Sequence, residues 1–180
     1  MNAAACVESN ADGRALRAGP IEEVVRRLRP LLVDAYGTWE RSGGTAHGAE
    51  AWLHLLAEAV RLEARTLDEA VALAAFCFVE RVTVFSPEAQ QALQGEPVAR
   101  ILRRFADTVS APALATPDLA NAYLAELRHH FRDGEGLRGR EVMFPLRAAL
   151  TGSMVGPCLG NVTSLLGVER CVVRTRDVLR

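Results

Sequence analysis

Three segments of this chain start a helix by recognisable end chemistry, and between them apolar residues return at every third or fourth position. Ser86-Pro87-Glu88 and Thr116-Pro117-Asp118 each place a hydroxyl at an N-cap and a proline at the first helical position, where the missing N–H costs nothing. Thr66-Leu67-Asp68-Glu69 fits a capping box, in which hydroxyl and carboxylate each satisfy a backbone N–H at a helix start. Such punctuation confines the chain to packed helices. Ile21, Val24, Val25, Leu28, Leu31, Leu32 and Ala35 mark the first apolar stripe, stopped by Gly37, with Pro30 expected to kink or divide it. A glycine-rich loop, Ser42 to Gly48, leads to a second stripe of Trp52, Leu55, Leu56 and Ala59, and the capping box opens a third helix running to about Val79.

Further along, Val98, Ile101, Leu102 and Phe105 form one amphipathic face, and Leu119, Tyr123, Leu127 and Phe131 form another. Asp133-Gly134-Glu135-Gly136 ends that helix, and divisions at Thr151-Gly152, Gly156-Pro157 and Gly167 leave three short helices. The valine- and phenylalanine-rich run Cys77 to Phe85 has strand composition, but its helical flanks favour a helix end followed by a packed connector. The expected architecture is all-α, a two-part helical bundle. Residues 1–19 form a tail, 20–85 a first helical subdomain and 86–180 a second.

The chain's 180 residues, 49% of them hydrophobic, suffice for one domain or two small ones. Its 21 basic residues nearly balance 22 acidic ones, so no global field draws in a polyanion, and any nucleic-acid surface is a local patch. All 21 are arginine, whose planar fork suits phosphates and base edges, although a codon bias produces the same composition. Cys6, Cys77, Cys158 and Cys171 lack C-x-x-C spacing and are expected as reduced core thiols, without disulfide or metal. No run approaches the roughly 20 apolar residues of a membrane span, and the N-terminus has no signal-peptide core. A cytoplasmic protein with no membrane and no DNA partner is expected.

Candidate chemistry outside the C-terminal part is thin. Glu126-x-x-His129 is half of a bundle metal site with no second copy, so a solvated face with Arg128 and Arg132 is expected. His47 and His54 have no cysteine or serine motif beside them, and neither a P-loop nor G-x-G-x-x-G occurs. No cofactor and no catalytic residue is assigned. From Arg138 to Arg180, by contrast, seven arginines face three acids, a local balance of +4 in a chain of net charge −1. Glycines at 152, 156, 160 and 167 permit close backbone approach, and Pro145 and Pro157 stiffen the helix starts they are expected to occupy. Arginine forks and backbone N–H groups together suit splayed single-stranded bases, as in RNA loops; the alternative is that glycine and proline merely divide helices.

Pro145, Leu146, Arg147, Ala149, Leu150, Thr151, Gly152, Pro157 and Leu159 stand in order, followed by Leu165, Leu166, Gly167, Glu169, Arg170 and Arg174. Over roughly thirty residues this resembles the signature P-L-R-x-A-L-T-G-x-x-x-x-P-x-L and L-L-G-x-E-R of the C-terminal anticodon-binding domain of bacterial-type, class I glutamyl-tRNA synthetases. Arg61 to Glu69, Phe76 to Phe78 and Ser86 to Ala89 add weaker, collinear similarity, so the resemblance runs from about residue 20 to the end. It implies a two-part anticodon-binding α-helical cage with its seam near Ser86.

The resemblance implies that Arg147, Gly156, Pro157 and Leu159 contact the first and middle anticodon bases, and that Arg61 or Arg65 reads the third. Two positions depart from the family pattern and weigh against strict discrimination: Glu63 stands where a basic residue is frequent, and Gly156 presents no side chain. A synthetase also needs a nucleotide-binding body with H-x-G-H and K-M-S-K-S motifs; this sequence has no H-x-G-H, and having no lysine it cannot contain the other. The implied function is a non-catalytic, freestanding binder of tRNA(Glu), acting in trans to a synthetase or a tRNA-dependent enzyme. The alternative is a helical protein–protein adaptor that has lost RNA binding, favoured by the near-neutral charge, Glu63 and the few aromatics.

Overall fold

The computed structural model describes residues 16–38 and 48–180. Cys6, Trp39, His47, residues 1–15 of the expected tail and most of the expected glycine-rich loop lie outside the described residues. The described residues contain helices and no strand, and divide into two compact units whose boundary falls between Phe78 and Val79. Residues 79–85 of the connector, assigned from the sequence to the first part, thus group with the second unit.

The first unit packs three helices against one another: α1 (Ile21–Tyr36), α2 (Ala49–Arg61) and α3 (Leu67–Phe78). Leu28, Leu32, Trp52, Leu56 and Ala74 are buried, and the ring of Phe78 stacks on Tyr36 at 4.3 Å and meets Trp52 edge-on at 6.0 Å. Pro30 neither divides nor ends α1. It lies on the exposed face, where the carbonyl one turn back that loses its N–H partner faces water. On α2 Leu53 is buried more completely than the expected Leu55. The Thr66 hydroxyl accepts from Glu69 N at 3.1 Å as expected, but the Glu69 carboxylate accepts from Arg65 N at 2.6 Å, one residue before the box position. Residues 16–19, expected in the tail, are held by this unit: Leu16 is buried, and Arg61 donates to the Gly19 carbonyl at 3.2 Å.

The second unit comprises α4 (Pro87–Ala92), α5 (Glu96–Thr108), α6 (Pro117–Glu135), α7 (Gly139–Thr151) and α8 (Leu159–Val178), with a 3-10 turn at Pro112–Leu114. Both N-caps are made: the Ser86 hydroxyl accepts from Ala89 N at 3.2 Å and that of Thr116 from Leu119 N at 3.2 Å. Val98, Ile101, Leu102 and Phe105 of α5 are all buried. On α6 the buried face is Ala120, Leu124, Leu127 and Phe131, so Leu119, expected in the stripe, is exposed. Pro145 does not start a helix but lies within α7, buried on the side facing the unit's core. Helix α8 packs on α5, α6 and α7 and carries a single non-helical residue, Gly167 (φ 71°, ψ 171°), which makes the break expected there.

Candidate nucleic-acid interface

Helix α7 carries Arg147 and ends in a left-handed Gly152, after which a short loop leads to the start of α8. Gly152 is required twice over. Its φ of 72° disfavours any Cβ, and a Cβ there would lie 2.4 Å from the Val84 carbonyl oxygen and 2.8 Å from Val82 Cγ1. Ser86 N donates to the Gly152 carbonyl at 2.8 Å, so connector and loop are stitched together. Thr151 Oγ1 donates to the Ser153 carbonyl at 2.8 Å, and Ser153 Oγ accepts from Val155 N at 3.1 Å. The loop is thereby given its shape by its own side chains.

Arg147 closes the far side of this loop. Its Nη2 donates to the Pro157 carbonyl at 2.8 Å and its Nη1 to the Gly156 carbonyl at 3.5 Å. Gly156 adopts φ 130°, accessible only to glycine, while Pro157 is buried and Leu159, the first residue of α8, is half-buried. The structure therefore brings Arg147, Gly156, Pro157 and Leu159 together. Arg61 and Arg65 lie in the first unit: Arg61 pairs with Glu58 at 2.8 Å besides holding Gly19, and Arg65 is exposed beyond the end of α2.

The basic C-terminal segment does not form a single patch. Arg174, one of the signature arginines, is only 1% exposed and donates to the backbone carbonyls of Leu150 at 2.5 Å, Glu80 at 3.3 Å and Val79. Its planar fork satisfies the end of α7 and the beginning of the connector at once. Arg176 approaches Asp107 at 3.8 Å, and Arg180 and Arg81 share Asp177 at 3.4 and 2.7 Å. Cys158, expected as a core thiol, is exposed at the N-cap of α8, whereas Cys77 and Cys171 are buried. Burial pushes the Cys171 thiol up to about 12, against a slight opposing pull from Arg174. Glu126 and His129 are both exposed on α6, and among the described residues no group of three or more His, Cys, Asp or Glu can hold a metal ion.

Beside Arg147, and missed in the sequence, opens a cleft of about 570 Å³ formed by α4, α5, α7 and Met154 of the loop. Arg140, Phe144 and Arg147 line it from α7. Their spacing of four and then three residues is one helical face, a signal present in the sequence, whereas the opposite wall on α4 and α5 comes from residues about 50 positions earlier.

The second unit thus presents an arginine-braced loop between two of its helices. Residues 23–179 match the family described as "Anticodon binding domain", and the chain belongs to that family. Its relatives are glutamate–tRNA ligases. That of Thermus thermophilus is 34% identical over 161 residues, and that of Acidothermus cellulolyticus 33% over 168, covering 88% and 92% of this chain. The chain spans about a third of the length of these relatives, 31% and 32%. The fold is that of the corresponding part of the glutamate tRNA ligase of Elizabethkingia meningosepticum (TM-score 0.75, 14% identity, 93% of this chain and 30% of that one). The glutamate–tRNA synthetase of Elizabethkingia anophelis superposes equally well (TM-score 0.73, 14% identity, 99% and 32%). No helix among the described residues is long and apolar enough to cross a membrane.

Proposed function

We propose that this chain binds tRNA(Glu) through the anticodon loop and contributes no aminoacylation chemistry itself. It serves in the cytoplasm, in trans to a synthetase or to an enzyme that uses charged tRNA. The observation that carries this reading is the clustering of Arg147, Gly156, Pro157 and Leu159 at one braced loop, in a chain whose family match covers residues 23–179. In this reading Arg147 has two tasks: it fixes the loop through the Gly156 and Pro157 carbonyls, and it presents positive charge to the bases and phosphates that settle on it. Arg61 and Arg65 carry the third-base contact in the same reading, with Arg65, the exposed one, the more accessible.

The test is binding of labelled tRNA(Glu) beside a tRNA with an altered anticodon, each at two salt concentrations. Affinity falling steeply with salt and lost with the altered anticodon is the expected result, because each phosphate contact releases counterions. Arg147→Gln should cost about 1–3 kcal/mol of binding. Absence of binding to either RNA overturns the reading. It would leave the chain a protein adaptor, for which the exposure of Val84 (81%) and Val155 (73%) speaks.

A further inference from the structure

The cleft beside the loop has the chemistry of a second nucleotide site. Arg140, Phe144 and Arg147 line the cleft from one face of α7 at positions i, i+4 and i+7, so the aromatic ring has an arginine side chain one turn away on each side. Phe144 is 49% exposed, a large apolar ring left uncovered at the rim of a cleft that Met154 and Pro97 also line. Arg140 is exposed and has no ion-pair partner among the described residues. The two acids of the cleft are both engaged by helix starts. Glu141 accepts from Arg138 N at 2.6 Å, and the Glu88 carboxyl is held below its ordinary range by its own backbone amide and the Ser86 hydroxyl. Gln91 and Gln94 on the opposite wall supply amide groups of both hydrogen-bonding senses.

An apolar ring with the Arg140 cation on one side and the Arg147 stem on the other, and amides opposite, fits a nucleobase and its phosphate; a peptide helix would call for a continuous apolar floor. Arg147 turns its guanidinium toward the Gly156 and Pro157 carbonyls, so the cleft opens on the side of its stem away from the loop. We infer that the cleft takes one nucleotide flanking the anticodon triplet, its base stacked on Phe144 and its phosphate held by Arg140. This rests on the tRNA-binding reading above. Stacking on a phenyl ring accepts any base, so the site adds affinity and little discrimination.

The experiment is a titration of tRNA(Glu) carrying 2-aminopurine at a nucleotide flanking the triplet, with wild-type protein, Phe144→Ala, Phe144→Trp and Arg140→Gln. Phe144→Ala should weaken binding of tRNA(Glu) by ~5- to 150-fold and should abolish the change in 2-aminopurine emission. Phe144→Trp should restore both, and Arg140→Gln should lower the salt dependence by about one released counterion. If the wild type binds tRNA but Phe144→Ala binds equally well with the emission change intact, the cleft assignment is overturned and the anticodon reading stands. If the wild type binds no tRNA, both fall. Phe144 is half-exposed, so an unchanged circular-dichroism melt of Phe144→Ala would separate lost stacking from lost fold.

Discussion

Replacing Arg174 with methionine keeps most of the apolar stem and deletes the guanidinium. Three backbone carbonyls, those of Leu150, Val79 and Glu80, then lose their donor at a site where the side chain is 1% exposed. A buried acceptor left unmade costs about 1–3 kcal/mol, and bonds to a charged donor lie toward the upper end. Against that stands the desolvation of the guanidinium, several kcal/mol that the variant no longer bears. The balance is a loss of about 2–4 kcal/mol. At roughly 2–4 °C per kcal/mol for a chain of this size, the midpoint of thermal unfolding should fall by about 4–16 °C. Far-UV circular dichroism under heat and urea measures it, and faster hydrogen exchange at the Ser86 amide, bonded to the Gly152 carbonyl, would place the loss at the connector. Arg174→Lys should recover only part of the stability, because one ammonium cannot span three carbonyls as a fork does. A methionine variant within about 0.5 kcal/mol of wild type, or a lysine variant equal to wild type, would refute the argument.

Gly152→Ala should destabilise the second unit by about 2–4 kcal/mol, since positive φ and the 2.4 Å approach to the Val84 carbonyl act together; urea unfolding checks it. Ser86→Ala and Thr116→Ala should each cost about 1 kcal/mol in the same assay, and their effects should add, as the two caps share no partner. Alkylation of the native protein at pH 8, followed by peptide mass spectrometry, should modify Cys158 at least tenfold faster than Cys77 or Cys171, given their exposure. The Cys171 thiol rises from an ordinary 9.0 to about 12 on folding, so above pH 9 the unfolded chain binds fewer protons than the folded one. Stability should therefore fall between pH 9 and 12 by at most about 1.4 kcal/mol per pH unit, and Cys171→Ala should flatten that slope.

Helix starts were legible because they are written in adjacent residues: Ser86-Pro87 and Thr116-Pro117 form their caps whatever else the chain does. The loop residues around Pro157 were legible as a motif. What escaped was everything that depends on distant partners. Leu119 fits the α6 stripe by spacing, yet the neighbours of α6 cover the face of Ala120 and Leu124 instead. Cys158 resembles a core thiol by its neighbours in sequence and is exposed at a helix N-cap. Pro30 and Pro145 read as breaks or helix starts, but a helix held on one side by packing tolerates a proline where the lost bond can be solvated or locally absorbed.

The sequence by itself determined that the chain is helical, where most of its helices begin and end, and which family it resembles, because capping chemistry, apolar period and motif are all local quantities. Only the tertiary structure decided what the arginines do. Arg174 and Arg147 read alike in sequence as basic residues of a binding signature, but one is folded inward against three carbonyls and the other braces the loop beside an open cleft. Charge is a property of the residue; whether it meets solvent, a ligand or a buried carbonyl is fixed by elements up to 95 positions away in the chain.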